Sequence, residues 1–164
     1  MNSSVEKRTI RKVGLRLIPL MLICYLVNYL DRINVGFAAL HMNEDVGITA
    51  TVFGWGAGLF FISYFLCEVP SNMALHRVGA RRWIARIMIT WGIVSTCFAF
   101  VQGAMSFLLL RFLLGMAEAG FFPGMVLYIS YWFPKEYRGR LTALFMTAIP
   151  LSALIGAPLS GWLL

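Results

Sequence analysis

The stretch SFLLLRFLLGMAEAGFFPGMVLYISYW, residues 106–132, is almost wholly apolar. It is longer than the ~20 residues an α-helix needs to cross a hydrocarbon core of ~30 Å. Lipid offers the backbone no hydrogen-bond partners, so a segment of this length must satisfy its own N–H and C=O groups as a helix. Only Arg111 and Glu118 interrupt its greasy character. Four similar stretches flank it. Together they predict five spans, at about 17–40, 52–74, 83–101, 106–132 and 141–164. The connectors are short, so successive helices should be antiparallel neighbours. The expected fold class is an all-α integral membrane protein.

The composition agrees. Of 164 residues, 60% are apolar and 13% charged, with mean hydropathy +0.77. A soluble domain carries about a quarter charged residues. Too little polar surface exists here to coat a globule, which excludes a soluble enzyme, a soluble binding module and a disordered tail. The formal charge of +7 would suggest nucleic acid in a soluble protein. Here the basic residues cluster between spans, so no nucleic-acid partner is implied. Lys7, Arg8, Arg11, Lys12 and Arg16 precede the first span, and the connector at 41–51 has no Lys or Arg. Arg77, Arg81, Arg82 and Arg86 follow the second span, the connector at 102–105 again has none, and Lys135, Arg138 and Arg140 follow the fourth. This alternation predicts a cytoplasmic N-terminus and places Leu164 outside.

Residues 1–16 read as a basic cytoplasmic leader, and 17–164 as the membrane part. The leader's Ile10, Val13 and Leu17 could settle on the anionic inner leaflet; a frayed tail that only stops transfer is the equal alternative. The first apolar stretch contains Asp31 and Arg32, is too long for a signal-peptide core and lacks a small-residue cleavage site, so it reads as a retained span.

Enzyme chemistry finds no purchase. Cys24, Cys67 and Cys97 lie in apolar stretches without metal-ligand spacing and read as small apolar side chains. His41 and His76 stand alone in connectors. No His lies in a span, no nucleophile–base pair has useful spacing, and no cofactor or metal fingerprint occurs.

Five charges lie inside spans: Asp31, Arg32, Glu68, Arg111 and Glu118. Each costs about 2.5–3.5 kcal/mol at a helix centre on insertion scales. Tyr25, Asn28, Tyr29, Arg32 and Gly36 recur at helical spacing as one polar stripe, and Arg111, Gly115, Glu118 and Phe122 as another. Both stripes should face protein rather than lipid. Arginine suits a carboxylate because its planar fork engages both oxygens. Asp31 and Glu118 suit proton carriage, since burial and a neighbouring arginine act oppositely on a carboxyl group. Asp31 and Arg111 fall at similar depth below the outer face and are expected to pair, leaving Arg32 for an anion. Glu118 falls near the midplane.

Gly54, Gly56, Ala57 and Gly58, and the pairs Gly115/Ala119 and Gly120/Gly124, predict close helix packing. Pro70, Pro123, Pro150 and Pro158 predict kinks. Trp55, Trp83, Trp132 and Trp162 lie near span ends, as interfacial anchors do.

Three motifs resemble those of a known family. The first is NYLDRINVGFA, residues 28–38. The second is EVPSN, residues 68–72, followed by LHRVGARRW, residues 75–83. The third is RFLLGMAEAGFFPG, residues 111–124, running on to Trp132-Phe133-Pro134 and Arg138-Gly139-Arg140. Over residues 12–164 the chain resembles the amino-terminal half of a major facilitator superfamily transporter. Within it, the closest likeness is to the anion:cation symporter family, in its bacterial branch of tartrate, sugar-acid, phthalate and hydroxyphenylacetate permeases. The resemblance implies proton-coupled symport of an organic anion by alternating access, in a multi-pass protein of the inner (plasma) membrane. By motif position it implies proton coupling by Asp31 and Glu118, and substrate binding by Arg32 with Tyr29 and Tyr64. It also implies ordering of the charges by Arg111, and a cytoplasmic gate at Arg77, Gly79, Arg81 and Arg82. His76 and Asn72 depart from the superfamily's common gate pattern, where aspartate and glycine are usual. Gly156-Ala157-Pro158 is similar to an antiporter motif.

The resemblance assigns this chain five helices of a six-helix half. The remaining helices are then partners it must meet, and alone it is expected to be an inactive fragment. The alternative is a small structural or assembly protein that uses buried ion pairs to hold partner helices. Expected partners are membrane lipid, a small organic anion and a proton; no cofactor or metal is implied.

Overall fold

The computed structural model describes residues 3–45 and 47–163, and side chains within 6–36 and 47–162. Helix α1 is Ser3–Asp45, α2 Ala50–Val78, α3 Ala80–Cys97, α4 Ala104–Glu118, α5 Phe121–Trp132, α6 Lys135–Met146 and α7 Ala148–Leu163. One 3₁₀ turn, Phe98–Phe100, follows α3. Among the described residues, five stretches are long and apolar enough to cross a membrane: Glu6–Gly36, Ala50–Val78, Ala80–Phe100, Ala104–Trp132 and Lys135–Trp162. The chain is an all-helical integral membrane protein.

The junctions follow from local chemistry. Thr49 caps α2, its Oγ1 accepting from the Val52 N–H at 3.3 Å. α2 runs through Pro70 to Val78, and a single residue, Gly79, turns the chain into α3. Gly79 has φ +93°, a conformation L side chains rarely adopt, and its N–H closes onto the Leu75 carbonyl at 2.9 Å. The arginine-bearing stretch that follows the second span is therefore mostly helix. Helix ends tolerate arginines, and Leu75 and Ala80 on either side are buried. Before α4, the Ser106 hydroxyl accepts from the N–H groups of Gln102 and Gly103.

The fourth span is broken at Ala119–Gly120, where Ala119 has ψ 131° and Gly120 has φ +85°. The break falls before Pro123, which sits in the first turn of α5. An N–H there would lack an intrahelical acceptor anyway, so proline costs little. Pro150 occupies the same place in α7, while Pro70 and Pro158 lie inside helices.

The chain forms two compact units: Met1–Asn34 with Val126–Leu164, and Val35–Met125. In the second unit α2 lies along α4 and the start of α5. A Cβ at Gly56 would strike the Phe107 ring, at Gly115 the Ser63 hydroxyl and Phe60 carbonyl, and at Gly120 the Ser71 hydroxyl; at Gly124 it would lie 2.6 Å from Leu75 Cδ1. Residue numbers rise together along both helices, so α2 and α4 are parallel, as expected of helices separated by one antiparallel neighbour. Lipid gives helices no hydrophobic reason to associate, so this close approach supplies the contact. Phe60, Trp91, Leu114 and Ala117 form the adjoining core.

In the first unit Tyr25 stacks on Phe145 at 4.4 Å between ring centroids. Gly156 faces Leu30 and Ile33, and the Ser160 hydroxyl bonds Asn34 Oδ1. Here too the numbers rise together, so α1 runs parallel to α6 and α7. Arg138 ties off α5, donating from Nε to the Phe133 carbonyl at 2.9 Å and from Nη2 to the Ser130 carbonyl at 2.8 Å. Leu20, Ile23, Phe61, Phe65, Ile89, Ile93 and Leu154 are among many large apolar side chains left exposed. In water such a surface would aggregate; in a bilayer it is the lipid face.

Candidate functional site

Both polar stripes lie on the less exposed faces of their helices. On α1, Tyr25 and Asn28 are buried and Tyr29, Asp31 and Arg32 half-buried, while Leu20, Ile23 and Val27 are exposed. The Arg32 guanidinium lies 5.3 Å from the centre of the Tyr29 ring, within cation–π range. Tyr29 meets Tyr25 edge to face at 5.0 Å. An aromatic row thus runs from Phe145 through Tyr25 and Tyr29 to Arg32, stacked at its first contact and edge to face at its second. Asp31, Tyr29 and Arg32 all belong to the first unit.

Tyr64, Arg111 and Glu118 belong to the second unit. Arg111 is only 8% exposed and Glu118 only 1%, while Leu109, Leu113 and Met116 face outward. Phe107, Phe53 and Phe98 surround the Arg111 guanidinium at 5.5, 5.7 and 5.9 Å. Each aromatic face offers a partial negative charge that partly replaces water. Glu118 is the last residue of α4, and its Oε2 is a buried atom without a hydrogen bond. Unsatisfied carbonyls gather at that helix end. Tyr64 is half-buried against the core cluster, 6.1 Å from the Phe60 ring. Gly115, between Arg111 and Glu118, sets their distance from α2.

Arg77, Gly79, Arg81 and Arg82 come together at the one-residue turn between α2 and α3, all exposed. Beside them the Arg86 guanidinium stacks 4.1 Å over the Trp83 ring. No group of three His, Cys, Asp or Glu with metal-ligand geometry occurs among the described residues.

Sequence reading missed one polar node. The Ser71 hydroxyl donates to the Ala119 carbonyl at 2.7 Å and accepts from Trp83 Nε1 at 3.0 Å. Ser71 lay within a quoted motif, but its partners are far away in sequence. The only sequence signal was a serine between Pro70 and Asn72 inside an apolar span.

The fold and these buried charges define a class: a polytopic helical membrane protein with charge on the interior faces of its spans. Comparison narrows the class. The Major Facilitator Superfamily profile matches residues 21–164. The chain is 62% identical over 164 residues to the "Putative tartrate transporter" of Agrobacterium vitis, covering 100% of this chain and 38% of that protein. It is 54% identical over 159 residues to the "Quinolone resistance transporter" of Acinetobacter baumannii, covering 97% and 37%. It is 40% identical over 164 residues to the "Inner membrane transport protein RhmT" of Escherichia coli K12, covering 100% and 38%. The chain belongs to the Major Facilitator Superfamily, a family of transporters rather than enzymes, and spans under two fifths of the length of these curated relatives.

Proposed function

We propose that the chain forms the amino-terminal part of a secondary active transporter that carries an organic anion together with a proton. The substrate class is a carboxylate such as a sugar acid, tartrate or an aromatic acid. Arg32 receives the carboxylate, with Tyr29 and Tyr64 lining its path. Asp31 and Glu118 carry the proton, and Arg111 orders the charges. The turn bearing Arg77, Gly79, Arg81 and Arg82 serves as the cytoplasmic gate, with the N-terminus cytoplasmic in the inner membrane. Further helices complete the cavity, since substrate sites in such folds lie between repeats.

The observation that carries this reading is Glu118, 1% exposed within a span. A carboxyl group there is expensive unless it exchanges between a protonated and an ion-paired state, which is the step a proton-coupled carrier needs. The tartrate named for the Agrobacterium relative supports the choice of a small carboxylate.

The test is a chimera in which this chain replaces the matching part of the Agrobacterium relative, reconstituted in liposomes. An inward proton gradient should drive accumulation of labelled tartrate or another sugar acid, and collapsing the gradient should abolish it. The 164-residue chain alone should give none. Uptake by the chimera that ignores the proton gradient would refute proton coupling.

A further inference from the structure

We propose that Ser71 and Trp83 are positioning residues that couple the α2–α3 turn to the break beside Glu118. This deepens the transport reading and rests on it for the roles of the turn and of Glu118. The chain of contacts lies wholly within the second unit. Trp83 stands in the first turn of α3, four residues beyond Gly79, and its backbone N–H bonds the Gly79 carbonyl at 3.1 Å. Its indole N–H reaches Ser71 Oγ, and Ser71 Oγ in turn bonds the Ala119 carbonyl. Ala119 follows Glu118 directly and opens the break, where Gly120 packs so tightly on Ser71 that no Cβ fits.

The break explains why the link matters. Ending α4 at Glu118 and restarting the helix at Phe121 leaves carbonyls and N–H groups without intrahelical partners. In a span each unsatisfied group is costly. Ser71 satisfies the Ala119 carbonyl, so the break depends on where α2 holds that hydroxyl. The hydroxyl is saturated as donor by Ala119 and engaged as acceptor by Trp83, which fixes its rotamer. A movement at Gly79 that shifts Trp83 must therefore disturb Ser71, then Ala119, then the backbone of Glu118. Reciprocally, a change at Glu118 that re-forms the break must reach the turn, because coupling free energy acts equally in both directions. Arg86, stacked on the same indole, brings the connector's positive charge onto this path.

The experiment uses the 164-residue chain in lipid nanodiscs and does not depend on transport. The first readout is hydrogen exchange at residues 119–124 in wild type and Trp83→Phe, which keeps an aromatic ring beside Arg86 but loses the indole N–H together with the five-membered ring. Exchange there should quicken at least fivefold, although Trp83 lies on another helix. The second readout is the rate of tryptic cleavage at Arg77, Arg81 and Arg82. Glu118→Gln should alter it at least threefold in wild type and leave it unchanged in Ser71→Ala, while Ser71→Thr, which keeps the hydroxyl, should restore the dependence. Unchanged exchange in Trp83→Phe, or a Glu118→Gln effect that persists in Ser71→Ala, would overturn the coupling. Failure of the chimera to move protons would overturn the transport reading and leave these two results standing.

Discussion

Replacing Gly115 by alanine should loosen the α2–α4 pair. Two effects compete. Alanine is the better helix former by about 1 kcal/mol, and that gain shrinks further in a membrane, where the separated helices are already helical. Against it, the new Cβ would lie well inside contact distance of both the Ser63 hydroxyl and the Phe60 carbonyl oxygen, and 3.1 Å from the Phe60 carbonyl carbon. The hydroxyl can rotate away; the carbonyl belongs to the α2 backbone and cannot. The helices must part, and overpacking of this kind costs typically about 1–3 kcal/mol. Because the rigid atom places the cost near the upper end, the net loss should be about 1–2 kcal/mol, or roughly 5–30-fold in the folding equilibrium. The assay is unfolding of the chain in mixed micelles of increasing dodecyl sulfate fraction, followed by tryptophan fluorescence. Gly92→Ala is the control: nothing lies within 4 Å of its added Cβ, so it should be neutral or stabilising. Adding Ser63→Ala to Gly115→Ala should recover only part of the loss, since the Phe60 carbonyl remains. Wild-type stability in Gly115→Ala, or full recovery with Ser63→Ala, would refute the packing argument.

Two other perturbations address the junctions. Gly79→Ala places a side chain at φ +93° and ψ 140° with open space around it, so the penalty is conformational, about 1–3 kcal/mol for a backbone region that is nearly glycine-only, read in the same micelle titration. Arg138→Lys keeps the charge but cannot span both the Ser130 and Phe133 carbonyls as the guanidinium does. It should lose about 1.5–3 kcal/mol, the usual worth of one hydrogen bond from a charged group, with faster amide exchange at the end of α5.

What the sequence revealed depended on the range of the physics involved. The five spans were legible because unbroken apolar runs admit one solution in lipid. The faces of α1 and α4 were legible because Arg32 and Arg111 mark stripes at helical period. The fourth span does bend near Pro123, where a kink is expected, but the break itself lies at Ala119–Gly120. Pro123 draws attention, yet proline in a first turn breaks nothing, and the turn itself belongs to Gly120 at φ +85°. The connector after α2 read as a loop because arginines crowd it, whereas a single glycine suffices. The Ser71 node could not be read, because which carbonyl a hydroxyl satisfies depends on how α2 lies against α4. That in turn depends on the steric room at Gly115 and Gly120.

The central claim is that anion and proton move together through the buried charges of these spans. Thermodynamic linkage makes the converse flux the most direct test. Chimera-bearing liposomes with a trapped pH indicator and no imposed proton gradient should acidify inside when tartrate or another transported sugar acid is added outside. Glu118→Gln should abolish the acidification while leaving exchange of labelled anion intact, and Arg32→Gln should abolish both. Anion entry with no proton movement, or acidification undiminished in Glu118→Gln, would contradict the account.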